Sequence, residues 1–244
     1  MNPLLIIAIV VIFLLILVLV PSKQTRHLNS IFKKPIQKLS PALEGQYARV
    51  QGKVIAFRTH HSPIFKQAAI IHETTFFTLN SREQRDPDWH SKEHNWKLEQ
   101  SEKIKNDFLV ENNGWYALIR TDSSFEFLSR NINDINQYDI GVISSLNQGD
   151  IKFEKIESNL KEFMSMFYSK LAIKVLFDTH ILRAKETYLL DGEFVSVVGI
   201  CKLEAVDKHP SIKKHLHPDT KKILVIGSCK EPLYITDNMK ILFG

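Results

Sequence analysis

The hydrophobic and polar positions of the chain follow two different patterns. Residues 4–20 are 17 consecutive apolar side chains, whereas the rest of the chain mixes apolar and polar residues in short segments. Beyond residue 42, alternating and β-branched positions separated by turn residues predict seven to nine short strands. Because strands and helices do not alternate regularly, we predict a mainly β domain, a small barrel or a sandwich of short antiparallel strands.

Glycine-containing turns indicate how the strands connect. Asn113-Gly114 supplies the positive φ values that a tight type I′ hairpin requires, and Asp191-Gly192 predicts a second hairpin. Gly52 lies inside the first strand and predicts a bulge or a close approach of another backbone. The strongest strand segments are 46–57, 68–79, 108–110, 115–119, 188–190, 194–200, 221–226 and 233–236, and the weaker ones are 96–98, 125–128 and 151–156.

One segment has a helical period instead. Its apolar side chains recur three and four residues apart and therefore share one face of a helix: Leu160, Phe163, Met164, Phe167 and Leu171. Ser158 or Asn159 is available as the N-cap. Charged residues interrupt the apolar positions, so we expect one amphipathic helix that packs on the domain.

The apolar run predicts an N-terminal transmembrane helix, with residues 1–21 as the anchor. Seventeen helical residues span about 25 Å, close to the thickness of the hydrocarbon core. The alternative is a cleaved signal peptide, which normally has basic residues before its apolar core and small residues at its cleavage site. Neither feature is present here, which favours an uncleaved anchor.

The formal charge of +5 is confined to the start of the chain. Residues 1–40 contain no Asp or Glu, and the other 204 residues carry 27 basic and 27 acidic side chains. The domain therefore lacks the basic excess expected of a nucleic-acid-binding protein. Basic residues after an anchor stay in the cytoplasm, so the predicted topology places the N-terminus outside and the C-terminal domain in the cytoplasm. These membrane-proximal residues are Lys23, Arg26, Lys33, Lys34 and Lys38.

Residues 22–41 are predicted as a basic juxtamembrane linker, for which two descriptions remain open. Ile31, Phe32 and Ile36 alternate with lysines, which suits a short segment lying on anionic headgroups. The alternative is a solvated linker that only fixes the topology. In both cases the lipid bilayer is an expected partner.

Residues 90–94 form a short histidine motif that is a candidate metal site. His90-Ser91-Lys92-Glu93-His94 matches the H-x-x-E-H pattern, in which His90 and His94 would hold zinc and Glu93 would act as the base. The motif lies in the most charged stretch of the chain and has no apolar face to pack against a core. We therefore expect a solvated loop there and no metal.

A second histidine-rich stretch contains His209, His215 and His217 among several lysines. The positive charge opposes a bound cation, so we expect a polar loop or a basic surface that meets phosphate or acidic partners. Cys201 and Cys229 are the only cysteines, and we expect both to be buried and reduced. Gly-rich phosphate loops and G-x-S-x-G elbows are absent, so we predict no cofactor and no catalytic residues.

Three blocks of the sequence, read in order, resemble a known family. The first runs from Gly45 to Val54 and continues at Ser62-Pro63-Ile64, and the second runs from Phe108 to Ile119. The third comprises residues 185–199, 223–227 and 232–237. Their order resembles the GIDE (BAM) domain of the membrane-anchored E3 ubiquitin ligases of mitochondria and chloroplasts, which also occurs in bacterial proteins.

The resemblance covers about residues 42–238 and implies a β-rich domain held beside a membrane for protein contacts, so we assign residues 42–244 to it. The family's ligases use a C-terminal RING finger, and two cysteines cannot supply its zinc ligands. The sequence also departs from the family at Ala68-Ala69-Ile70-Ile71 and at Asn112. We therefore expect a protein-binding or scaffold module; the alternatives are a ligase-like component acting in trans and a zinc hydrolase using the H-x-x-E-H segment.

Overall fold

The computed structural model describes residues 30–80, 97–121, 125–129, 132–136, 153–227 and 232–237. Within them the fold is mainly β, as predicted, but it has thirteen strands and two α-helices where seven to nine strands and one helix were expected. The predicted anchor, together with Lys23 and Arg26, lies outside the described residues. None of the helices that are described is long and apolar enough to cross a membrane.

The larger sheet contains seven strands, and five of them close into a small barrel. The pairing runs in a ring through β1, β6, β7, β12 and β11 and back to β1, and β13 and β8 extend the sheet from β11. Their bounds are β1 Tyr47–Ile55, β6 Phe108–Asn112, β7 Trp115–Ile119, β8 Phe125–Leu128, β11 Phe194–Ala205, β12 Lys222–Ile226 and β13 Leu233–Thr236.

Alternate residues of the five barrel strands form the central core. Each strand contributes buried aliphatic or aromatic side chains: Ala48, Val50, Val54, Phe108, Val110, Ala117, Ile119, Val195, Val197, Leu224 and Ile226. Cys201 belongs to the same cluster, and its burial raises the pKa of the thiol to about 11. The prediction of a buried, reduced cysteine is confirmed for Cys201, whereas Cys229 lies outside the described residues.

Gly52 permits the close approach of β1 and β6, as its position in the sequence predicts. A Cβ atom at this residue would overlap the carbonyl oxygen of Glu111 and would lie 2.6 Å from Cγ1 of Val110. The first predicted hairpin is also confirmed. Asn113 and Gly114 have φ values of 52° and 79°, and they connect β6 and β7 in antiparallel register.

A second sheet of four strands has the order β5-β4-β10-β9. The strands are β4 Ile71–Asn80, β5 Lys97–Lys105, β9 Ile132–Asn136 and β10 His180–Leu189, and a separate two-stranded ladder joins β2 His60–His61 to β3 Ala68–Ala69. Helices α1 Phe153–Ser165 and α2 Lys170–Thr179 accompany this sheet, and three 3₁₀ segments cover Pro41–Leu43, Val206–Lys208 and Pro210–His215. Phe163, Met164 and Ile173 of the helices pack with Phe76 and Ala184 of the sheet.

Several details of the predicted fold are wrong. The helix expected to start after a cap at Ser158 or Asn159 begins at Phe153, so both residues lie inside it. It ends at Ser165, before Leu171, and a second helix follows. Residues 153–156 of the weak strand candidate 151–156 are helical. The chain does turn at Asp191-Gly192, but β10 and β11 pair in different sheets, so no second hairpin forms. Two strand pairs, β7 with β12 and β8 with β13, are parallel, not antiparallel.

The described part of the predicted linker packs against the barrel. Phe32 is 4% exposed and lies in a cluster with Val198 and Tyr234. Arg49 donates hydrogen bonds to the carbonyl oxygens of Phe32 and of Lys34 (3.2 Å), and its own carbonyl oxygen accepts one from the backbone N–H of residue 37. Phe32 is therefore not available to lipid headgroups, whereas Lys33, Lys34 and Lys38 are exposed.

One buried carboxylate joins the second sheet to the loop at residues 62–67, and a side chain of α1 binds the same loop. Glu186 is fully buried and accepts hydrogen bonds from the backbone N–H groups of Ile64 (2.9 Å) and Phe65 (3.2 Å) and from Oγ1 of Thr74 (3.1 Å). Asn159 of α1 donates to the carbonyl oxygen of Ile64 at 2.7 Å. The loop is therefore fixed from both sides.

The variant Glu186→Gln tests this arrangement. The side chain keeps its size but loses its charge, and an NH₂ group replaces one of the two accepting oxygens. We expect the free energy of unfolding to fall by roughly 3 kcal/mol, measured by urea denaturation. The matched control is Glu162→Gln, which removes an exposed ion pair with Lys66 and should cost less than about 1 kcal/mol. Equal midpoints for the two variants would contradict the role given to Glu186.

Candidate functional site

The tip of the β6–β7 hairpin presents an exposed aromatic side chain beside a cavity. The Asn113-Gly114 turn is held by a 2.8 Å hydrogen bond from the N–H of Gly114 to Oε1 of Glu111. Trp115 follows the turn and is 52% exposed. It lines a cavity of about 170 Å³ whose other walls include Pro41, Tyr116, Leu203, Thr220, Lys222 and Leu224.

A second cavity of about 700 Å³ adjoins the first, because Thr220 and Lys222 line both. Its other walls come from the end of β11 and from the segment that follows it: Ala205, Val206, Asp207, Lys213, Leu216, His217, Pro218 and Lys221. We refer to the two cavities together as the Trp115 groove. The groove thus has the Trp115 side chain at one end and a polar, lysine-rich wall at the other.

The segment that forms this wall is attached to the outside of the barrel by its apolar side chains. Val206, Ile212 and Leu216 are buried against Leu109 and Leu118 of the barrel. Burial of these three apolar residues leaves the intervening lysines exposed at the surface. The wall is therefore a fixed part of the domain.

The charge of the groove is positive. Lys213, Lys221 and Lys222 line it and are exposed, whereas Asp207 is its one acidic lining residue. Asp207 pairs with Lys213 at 2.5 Å, and the hydrogen bond and charge of that lysine lower the pKa of the Asp207 carboxyl. The lining thus offers aromatic, aliphatic and cationic groups, which suit the binding of an apolar side chain with an acidic neighbour.

The three histidines of this stretch occupy different surroundings. Nε2 of His209 lies 3.1 Å from Oε2 of Glu204, and the ring of His215 packs 6.2 Å from that of Phe57. His217 is exposed beside Asp219. No group of three His, Cys, Asp or Glu side chains in the described part of the chain is arranged to hold a metal ion. The other candidate metal ligands, His90, Glu93 and His94, lie outside the described residues, as does Cys229.

A buried histidine, His72, is the feature that the sequence did not indicate. It lies on β4, is fully buried, and neither ring nitrogen has a hydrogen-bond partner among the described residues. The ring of His60 meets it edge-on at 5.9 Å, and Nε2 of His60 lies 3.0 Å from the side-chain nitrogen of Asn106. Asn106 in turn lines a third cavity of about 370 Å³.

Two causes lower the pKa of His72 to about 4: burial, which disfavours the charged ring, and then the proximity of His60. In the unfolded chain a histidine has a pKa of about 6.5. Between these values the unfolded state binds more protons than the folded state, so stability is present above pH 6.5 and is lost as the pH falls toward 4.

Comparisons with known proteins add no family assignment. No family model, no curated protein and no solved structure matches this chain. The GIDE resemblance therefore stays a prediction. The Trp115 groove itself could not be predicted as a unit, because Trp115, Pro41 and the lysines come from separate segments. The sequence signals that exist are the aromatic residue directly after an Asn-Gly turn and the lysines that surround the histidines.

We predict that His72 makes the domain sensitive to acid. Lowering the pH from 7 to 4.5 should cost about 2.5 kcal/mol of unfolding free energy through this one residue, from the shift of its pKa to about 4. His72→Leu should remove that part of the pH dependence, measured by urea denaturation at both pH values. His217→Asn, at an exposed histidine, is the control and should leave the dependence intact. An unchanged difference between pH 7 and 4.5 in His72→Leu would refute the assignment.

Proposed function

We propose that this chain is a single-pass membrane protein whose cytoplasmic β-rich domain binds a partner protein in the Trp115 groove. Residues 1–21 serve as the anchor, with the N-terminus outside. The observation that carries the proposal is an exposed tryptophan at the mouth of a groove that is lined by Lys221 and Lys222 and by Lys213, which pairs with Asp207. Support for the anchor is the apolar run at residues 4–20 and the five basic residues that follow it.

The groove defines the chemistry of the partner. Tryptophan and tyrosine are typical anchors of protein interfaces, because they bury a large area at a low cost in conformational entropy. Trp115 and Tyr116 line the smaller cavity together with aliphatic groups. Lys221 and Lys222 favour carboxylates of the partner next to these aromatic residues. The partner segment is therefore acidic and carries one large apolar side chain.

The GIDE resemblance agrees with a binding role beside a membrane. In that family the catalytic step of ubiquitin transfer depends on the RING finger, and we propose no ligase activity for this chain. A ligase-like component acting in trans would use the same groove to hold its partner. No described residue favours the zinc hydrolase alternative. Measurement of the zinc content of the purified chain and of a His90→Ala variant distinguishes that alternative from a binding module.

Binding of short peptides tests the groove. The full chain in detergent or nanodiscs is titrated into fluorescent twelve-residue peptides that are acidic with a single leucine or tryptophan, or basic with the same apolar residue. We expect the acidic peptides to bind, and we expect Trp115→Ala to weaken their binding at least about tenfold. The double variant Lys221→Glu with Lys222→Glu should weaken the binding of the acidic peptides further. Added salt should weaken their binding to the wild type.

Two matched controls accompany these variants. Phe194→Ala removes another exposed aromatic side chain, and Lys53→Glu reverses an exposed charge that does not line the groove. Both should bind the acidic peptides like the wild type. The proposed site is wrong if acidic and basic peptides bind equally, or if the groove variants and the controls behave alike.

Protease accessibility tests the topology separately. In intact cells the domain should resist added protease and should become sensitive only after the membrane is permeabilised, because the proposed orientation places it inside. The protein should also stay in the membrane fraction after alkaline extraction. Digestion of the domain from outside would overturn the cytoplasmic orientation, and release by alkali would overturn the anchor.

A further inference from the structure

The turn between α1 and α2 and the first turn of α2 expose three large apolar side chains. Met166, Phe167 and Leu171 are 58%, 41% and 73% exposed. They lie within residues 165–171, which we call the helical tip. Their neighbours Phe163, Met164 and Ile173 are buried in the core between the helices and the second sheet.

The helical tip is held in this conformation by local hydrogen bonds. The backbone N–H groups of Phe167 and Tyr168 donate to the carbonyl oxygen of Met164 at 3.0 and 2.9 Å. Oγ of Ser169 accepts from the N–H of Ala172 at 3.3 Å and caps the start of α2. The rings of Phe163 and Phe167 meet edge-on at 5.3 Å. The three apolar side chains are thus fixed in the exposed position by the backbone that carries them.

The exposed charged residues that flank the helical tip on α1 and α2 are mainly lysines, and the nearby Glu99, whose charge acts on Tyr168, is paired with Lys97 at 2.9 Å. Lys161, Lys170 and Lys174 are exposed on the two helices that meet there. Glu162 is the one acidic residue between positions 158 and 174, and its carboxylate lies 3.5 Å from Nζ of Lys66. An apolar tip with a rim of lysines has the composition of protein segments that lie in the interface of an anionic bilayer.

The start of the domain limits its distance from the membrane. Arg49 binds the backbone at Phe32 and Lys34, so the chain joins the domain by residue 32. From Pro21 to that point eleven residues span at most about 40 Å when fully extended. A domain tethered this closely meets the bilayer surface at a high effective concentration, so even a weak contact is populated.

We propose that the helical tip is a second membrane contact, with Met166, Phe167 and Leu171 inserted among the lipids and Lys161, Lys170 and Lys174 on anionic headgroups. The proposal rests on the anchor proposed above. An acidic protein or a second copy of the chain is the competing occupant. The bilayer is favoured because the apolar side chains are few and adjacent, the rim is cationic, and the tether holds the domain at the lipid surface.

Lipid quenching in the full chain tests this contact. The variant Leu171→Cys, in a Cys229→Ser background, carries a fluorescent label and is reconstituted in vesicles of phosphatidylcholine with one quarter phosphatidylglycerol. Lipids with a nitroxide near the headgroup serve as quencher. We expect strong quenching at position 171 and little at the control position Phe194→Cys, which is an exposed residue on a barrel strand.

The lysines are tested in the same assay. Each of Lys170→Ala and Lys174→Ala should lower the equilibrium constant of the contact about fivefold, and vesicles without anionic lipid should abolish most of the quenching. Flotation of the same samples reports on the anchor independently. Protein that floats but is not quenched at position 171 overturns the tip contact alone, whereas protein that does not float overturns the anchor. Crosslinking between two labelled tips without quenching would assign the tip to a second copy and would also overturn the proposal.

Discussion

The carboxylate of Glu186 constrains the second sheet directly and helix α1 through the loop at residues 62–67. A charge without access to water is costly unless hydrogen bonds replace its hydration. The hydrogen-bond donors to Glu186 come from Thr74 on the neighbouring strand and from the loop at residues 62–67. Asn159 of α1 binds the same loop. A one-residue slip of β10 would move Glu186 to the other face of the sheet. The register of the sheet, the course of the loop and the position of the helix are therefore fixed together.

Local signals predicted most of the strands but not how they are shared between sheets. The Asn113-Gly114 hairpin and the close approach at Gly52 follow from the conformational freedom of glycine, which the sequence shows directly. Asp191-Gly192 is an equally good turn signal. It connects strands of different sheets, because β10 finds its partners in β4 and β9 and β11 finds its own in β1, β12 and β13. Pairing between distant segments leaves no local pattern, so it could not be predicted.

The helical tip and the Trp115 groove likewise depend on the tertiary fold, so local sequence patterns did not predict them. The helical period predicted Phe167 and Leu171 for the buried face of one helix. The chain leaves the helix at Ser165, and the cap at Ser169 starts a new one, so both side chains are exposed. In the Trp115 groove, the exposure of residues next to the turn and the basic character of residues 208–222 were predictable separately. Their proximity depends on the parallel pairing of β7 with β12, which only the complete barrel brings about.

The hydrogen bonds of Arg49 also have a mechanical consequence. The residue lies on β1, donates to Oγ of Ser196 on β11 at 3.0 Å, and holds the incoming chain at Phe32 and Lys34. Any tension on the N-terminal segment is thus transmitted to the antiparallel ladder between β1 and β11, one of the seams that close the barrel. Force applied through a membrane tether would load several backbone hydrogen bonds of this ladder together, and the domain should resist pulling from its N-terminus better than pulling from a surface loop.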